Sequence, residues 1–318
     1  MSAPPNRPPD ATGVPTRGSR AADRPGERLV NLLAFIVGIV GLAYGLLTLY
    51  AFGPFLDTQA SWLPWSRPIY NTSLPLWIPH FVGSPVMALF LRPLGLLPFP
   101  VFVTAWSALA GVAYWWLLRP LAPAPRLIAF AAACSFVLNG NVEWALAVMV
   151  VAGMSRPWAW LLAAFAKVAP FLGFGWFVLQ RDWRGVAITA VGGAVLVAVS
   201  VVLLPGAWPE WIGMLATFQG QTQHSGLFIP AIPLLPRLPV ALALLIWGAL
   251  RRQPLVLPLV LLLSQPDLQP WALGYLAAVP RLRGRPAGEA LLAPTNASAS
   301  AAARAPTASA FDTPRSSG

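Results

Sequence analysis

Two ionisable residues stand where their types could do chemistry in an otherwise apolar chain. The first is Asp57, the only carboxylate in AFGPFLDTQASWLPWSRPIYN, residues 51 to 71. It follows the end of a long apolar run closely. A carboxylate that stays ionised beside a reacting centre can take the proton from a hydroxyl as that oxygen attacks. The same stretch carries Trp62, Trp65 and Tyr70, whose rings can stack on a sugar or hydrogen-bond to it. It also carries Arg67, which with Arg92 further on could hold a phosphate. The plainer reading of Asp57 is an interfacial acid that caps a short helix within an ordinary aromatic belt.

The second is Lys167, set in LLAAFAKVAPFLGFGWFVLQ. Read as one helix over 158–179, this segment buries the lysine about 14 Å from one end and about 18 Å from the other at 1.5 Å per residue. An ionisable side chain at such depth faces the bundle interior or a wet cavity and marks a functional site by default. Pro170 weakens the helix one turn later. Two roles are open: binding a phosphate, and pairing with Glu143, the acid just after the Asn139-Gly140-Asn141 break. No metal site is expected, because the acids are scattered singly and His80 and His224 lie in different loops. No nucleotide or other cofactor is expected either, since no Gly-x-Gly-x-x-Gly or P-loop is present.

The elements that must position these residues are helices in a bilayer. Hydrophobic residues make up 57% of the 318 and charged residues 10%, and the mean hydropathy of +0.65 excludes an ordinary soluble domain. The net charge of +11 comes from arginines in the tails and in short loops, a pattern that sets membrane topology and does not signal nucleic acid. Twenty arginines against one lysine, with abundant Ala, Gly and Pro, suggest a bacterial source. The single cysteine, Cys134, reads as core filler.

Residues 1–27 and 286–318 are rich in Pro, Ala, Ser and Arg and are predicted to be disordered tails flanking a membrane domain over 28–285. Full-length spans are expected at 29–51, 99–118, 158–179 and 186–204, with a further crossing near 236–250. Short or broken helices are expected at 82–98, 127–138, 142–153, 254–264 and 270–280, and such breaks survive only where they face protein or a wet cavity. The fold class is therefore an all-α integral membrane protein of about ten transmembrane helices, within a range of eight to twelve. The arginine distribution puts both tails in the cytoplasm and the loops 52–81 and 205–235 outside, with Arg67, Arg119, Arg126, Arg156 and Arg237 on the outer side.

These motifs together resemble a known family. A first span followed by an outside Asp, a Tyr thirteen residues on, and the proline-bearing GSPVMALFLRPLGLLP is similar to the start of GT-C membrane glycosyltransferases. NGNVEWALAVMVV and LLAAFAKVAPFLGFGWFVLQRDWRG resemble glycosyltransferase family 87, the polyprenyl-phosphate-mannose-dependent mannosyltransferases. The resemblance covers about residues 30–280. It implies a GT-C-like fold, Asp57 as catalytic base, and Lys167 with Pro170 as the family's Lys-x-x-Pro. Asn141 stands where the family has Gln, and is carried over as a substrate-binding amide. Gly83-Ser84-Pro85 replaces a proline pair, and SQPDLQPW replaces a histidine-bearing stretch.

The implied activity is transfer of a hexose, mannose by the resemblance, from a polyprenyl phosphate to a glycolipid, glycan or protein acceptor at the outer face of the cytoplasmic membrane. The polyprenyl-phosphate-sugar is then a co-substrate and the bilayer a partner. The competing class is a transporter or lipid-handling protein, in which broken helices form a path and Lys167 binds an anion. For the topology, a reporter fused after Arg184 or Arg252 should be cytoplasmic and one within 205–226 external; finding both on one side would overturn this arrangement.

Overall fold

The computed structural model describes residues 25–55, 58–59, 62, 69–70, 81–167, 169–219, 233–265 and 268–283. Asp57, Trp65 and Arg67 lie outside these residues, as do residues 1–24 and 284–318 of the two tails. Among the described residues the regular structure is helical. Three helices are long and apolar enough to cross a membrane: α1 (Pro25–Phe52), α3 (Phe99–Leu118) and α8 (Trp183–Leu203). The other elements are shorter. They are α2 (Pro85–Leu91), α4 (Pro123–Leu138), α5 (Glu143–Gly153), α6 (Ala159–Ala166), α7 (Phe171–Leu179), α9 (Ala207–Gln219), α10 (Leu234–Leu250), α11 (Leu257–Leu263), a 3₁₀ helix (Pro270–Ala278), α12 (Val279–Leu282) and two single 3₁₀ turns (Leu94–Leu96 and Pro254–Val256).

The packing of α1 on α4 sets the directions of the chain. Gly38, Gly41 and Gly45 leave α1 without side chains on one face, and a Cβ at Gly38 would lie 3.0 Å from the Ala129 backbone nitrogen. A Cβ at Gly41 would meet Ala132 and Phe136, and one at Gly45 would collide with Ser135. Small residues let two membrane helices approach to backbone contact. The partners rise together in number, so the two helices run parallel. Asn31 Oδ1 accepts the Ala122 N–H at 2.9 Å near their starts, and the Phe55 N–H donates to the Leu138 carbonyl at 2.6 Å near their ends.

This parallel run overturns part of the expected topology. Counting 82–98 as a crossing makes 29–51 and 127–138 antiparallel. Helix α2, however, has only 7 residues, about 10 Å of rise against a hydrocarbon core of about 30 Å, and does not cross. Helix α3 therefore starts at the end of the bundle where α1 finishes, where Trp62 Nε1 donates to the Leu97 carbonyl at 2.8 Å.

A second correction concerns 158–179, which is two helices and not one. Pro170 has no N–H for the Ala166 carbonyl and its ring crowds that carbonyl, so α6 stops at Ala166. Lys167 is extended (φ −146°, ψ 151°) and α7 folds back along α6. The Trp160 and Phe177 rings meet edge to face at 6.3 Å, whereas a continuous helix would hold these residues roughly 26 Å apart. Trp160 also fills the space over Gly153 and Gly173. The region 205–235, expected as a loop, contains helix α9; Glu210 in its first turn suits the positive end of the helix dipole.

With these directions, Arg119, Arg126 and Arg156 move to the end of the bundle where α1 begins, opposite to the expected side. Arg126 Nη2 donates to the Arg119 and Leu121 carbonyls, beside the Asn31 contact. At the same end Arg281 donates to the Trp116 carbonyl, and Gln180 donates to the Ala249 carbonyl next to Arg251 and Arg252. Among the described arginines only Arg92 and Arg237 lie at the other end, a sharper charge asymmetry than the expected one. A cysteine at Ala122, in a Cys134→Ala background, should react with a membrane-impermeant maleimide from the same side as a cysteine at Arg252. Labelling from opposite sides would overturn these directions.

Candidate functional site

The site lies at the end of the bundle where α1 finishes, at the tip of the α6–α7 hairpin. Four backbone breaks meet there: the end of α4 at Leu138, the start of α5 at Glu143, the hairpin tip at Lys167 and the start of α2 at Ser84. Each has a local cause. Gly140 adopts φ 92°, a left-handed turn open to glycine, and reverses the chain between α4 and α5. Pro170 breaks the helix at the hairpin tip. Ser84 caps α2, with Pro85 at the first helical position.

Lys167 Nζ donates to Glu143 Oε1 as an ion pair, with the lysine side chain 26% exposed and the Glu143 side chain at 0%. Glu143 is the first residue of α5, where the helix dipole favours a carboxylate. Its other oxygen, Oε2, has no partner among the described residues. The pair is thus lopsided: a carboxylate sealed inside the protein holds an ammonium that opens outward.

The wall behind Glu143 comes from the 3₁₀ helix. Three residues per turn put Ala272, Tyr275 and Ala278 in one row, and all three are buried. Gly274 lies against the base of the Glu143 side chain; a Cβ there would fall 2.6 Å from the Tyr114 hydroxyl and 2.8 Å from Glu143 Cβ. Gln265 Nε2 donates to the Tyr275 hydroxyl at 2.5 Å. Arg237, buried at the start of α10, donates to the Leu263 carbonyl at 3.0 Å and to the Gln265 carbonyl at 2.9 Å. Arg237 so ties α10 to the end of α11 and fixes the chain that carries Gln265.

On the opposite flank Ser84 joins α2 to the hairpin. Ending α6 at Ala166 leaves the Phe165 carbonyl for other donors, and Ser84 Oγ donates to it at 2.7 Å while accepting from the Met87 N–H at 3.2 Å. The Tyr70 hydroxyl donates to the Gly83 carbonyl at 2.8 Å. Burial, and then the Glu210 carboxylate, push the Tyr70 phenol above its ordinary pKa, so it stays a donor. Trp211 Nε1 adds a bond to the Val82 carbonyl at 3.1 Å. The stretch 82–85 is therefore tied to α6, α9 and Tyr70 at once.

The sequence-predicted residues fall into distinct places. Lys167 lies at the hairpin tip. Asn141 is buried close by in sequence to Glu143, and its Nδ2 has no partner among the described residues. Trp62 and Tyr70 use their polar atoms on backbone carbonyls at the same end of the bundle. Arg92 is exposed at the end of α2. Ser84, Gly274 and Arg237 also belong to the site, though their residue types alone do not mark them for it. A serine before a proline at a helix start is a capping signal that was available for Ser84; a contact between residues 143 and 274 leaves no mark in the sequence. Among the described residues no three His, Cys, Asp or Glu side chains converge as a metal-binding group.

Two residues before Asp57, Phe55 has φ 68°, an unusual value for an aromatic and a local cost held by the Leu138 hydrogen bond. No curated protein and no solved structure matches the chain significantly. Residues 81–303 match the sequence profile of glycosyltransferase family 87, a stretch that holds α2, both halves of the hairpin, Glu143 and the 3₁₀ wall. The match spans well over half of the chain, and the protein belongs to glycosyltransferase family 87.

Proposed function

We propose that the protein transfers a hexose, mannose by the family resemblance, from a polyprenyl phosphate to a hydroxyl of a glycolipid, glycan or protein acceptor at the outer face of the cytoplasmic membrane. The observation that carries the reading is the position of Lys167. In an unbroken helix its ammonium would be buried at mid-span; at the hairpin tip it is partly open at the end of the bundle where α1 finishes. A lipid phosphate reaches the protein from an interface, so a cation at an open tip suits it better than one at the middle of a span.

The chemistry asks little of the protein. The anomeric carbon loses its bond to the phosphate oxygen, which keeps the electron pair, and gains a bond to the acceptor oxygen. The acceptor proton passes to Asp57 as general base. Lys167 holds the phosphate and directs N–H donors at the oxygens on which charge grows. Arg92 and Arg67 are further cations for that group, and Asn141, Trp62, Trp65 and Tyr70 position sugar or donor. Direct displacement inverts the anomeric configuration.

Purified protein in lipid membranes should move labelled mannose from polyprenyl-phosphate-mannose to an acceptor extract. Asp57→Asn keeps the shape but cannot accept the proton, so it should lower the rate by roughly 10²- to 10⁴-fold with little change in expression. Near-normal transfer by that variant removes Asp57 as the base. An inactive wild-type chain with every acceptor class removes the reading.

A further inference from the structure

We infer that Glu143 tempers Lys167, so that the site releases the lipid phosphate it has helped to expel. The inference rests on the reading of Lys167 as the phosphate-binding cation. Its starting point is the lopsided burial of the pair: Glu143 is wholly enclosed, while Lys167 is open on one side. An ammonium has three N–H donors. One is used on Glu143 Oε1, and Nζ has no other hydrogen-bond partner among the described residues, which leaves two donors for a ligand.

A phosphate could in principle displace Glu143 from the lysine or add to the pair. Displacement would strand a buried carboxylate whose second oxygen already lacks a partner among the described residues. Breaking a buried pair in that way carries a penalty of roughly 10²- to 10³-fold in equilibrium, or more. Addition avoids this cost, so the phosphate joins the pair and meets a unit with no net charge.

This matters because the ligand changes charge during the reaction. The donor is a phosphodiester with one negative charge. The product is a phosphomonoester with about −1.5 to −2 at neutral pH, like other monoesters. A bare ammonium would hold the product more tightly than the donor and would slow turnover. The Glu143 charge opposes both ligands in proportion to their own charge, so it weakens product binding more than donor binding. A carboxylate too screened from the bound phosphate to act on it would change only stability when replaced. It would leave the ratio of the two affinities alone.

The test is equilibrium binding of a short-chain polyprenyl phosphate to the full chain in nanodiscs, with polyprenyl-phosphate-mannose as the diester and polyprenol as the control without a headgroup. Glu143→Gln keeps the shape and removes the charge. It should bind polyprenyl phosphate about tenfold more tightly than wild type, with a smaller gain for the diester. Equal or weaker binding of polyprenyl phosphate by a folded Gln variant overturns the inference, and so does an equal gain for both ligands. If the Gln variant melts below assay temperature, Glu143→Asp carries the test. It withdraws the carboxylate by one methylene and should give an intermediate gain, and no gain overturns the inference. Wild-type protein that binds polyprenyl phosphate no better than polyprenol defeats the phosphate role of Lys167 itself, a result distinct from the others.

Discussion

One buried charge constrains the rest of this structure. Glu143 is sealed at the start of α5 and, among the described residues, has Lys167 as its ionic partner, at a place where the polypeptide must break to present it. A carboxylate in that position is costly without its counter-charge. The break at Pro170, the absence of a side chain at Gly274 beside the stem of Glu143 and the Asn139-Gly140-Asn141 turn before it are the conditions that let the two groups meet. Apolar residues of similar volume would join α5 to the hairpin as well or better, because buried ion pairs seldom add net stability. Retaining the pair is therefore better explained by what the lysine does on its open side.

The second constraint is close helix packing. Helices α1 and α4 approach through glycines and run parallel, so the breaks of the site gather at one end and most of the described arginines at the other. The backbone groups that the short helices leave free find local partners. Ser84 takes the Phe165 carbonyl, Arg237 takes those of Leu263 and Gln265, and Trp62 takes that of Leu97. Irregular backbone is tolerated at membrane depth only on such terms. The same arrangement leaves an ammonium facing outward among helix ends, which is what binding a lipid phosphate requires.

Much of this was legible in the sequence, and the failures have physical causes. The extents of α3 and α8 follow from unbroken apolar runs, and the breaks at Asn139-Gly140-Asn141 and near Pro93 follow from turn residues. Membership of family 87 was readable from the Lys-x-x-Pro and its surroundings. The hairpin at Lys167 was not, because apolar composition is equally high on both sides of the break and hydropathy does not distinguish one long helix from two folded together. That error, with the crossing wrongly given to 82–98, reversed the expected direction of the helices between them and misplaced Arg119, Arg126 and Arg156. The ion pair with Glu143 was one of two roles left open for Lys167. Its burial and the 3₁₀ wall depend on contacts across more than a hundred residues, to which periodicity is blind.

On the proposed role of Lys167, the Glu143–Lys167 pair is kept for the reaction and not for the fold. The most direct measurement is sugar transfer by the double variant Glu143→Leu, Lys167→Met, compared with wild type at matched folded amounts. Removing both charges together avoids an orphaned ion, so the double variant should fold and melt within a few degrees of wild type. Transfer from the proposed polyprenyl-phosphate-sugar donor should nevertheless fall by at least about a hundredfold, the scale of losing one group that stabilises charge in the transition state. A folded double variant that transfers sugar at the wild-type rate would contradict the account.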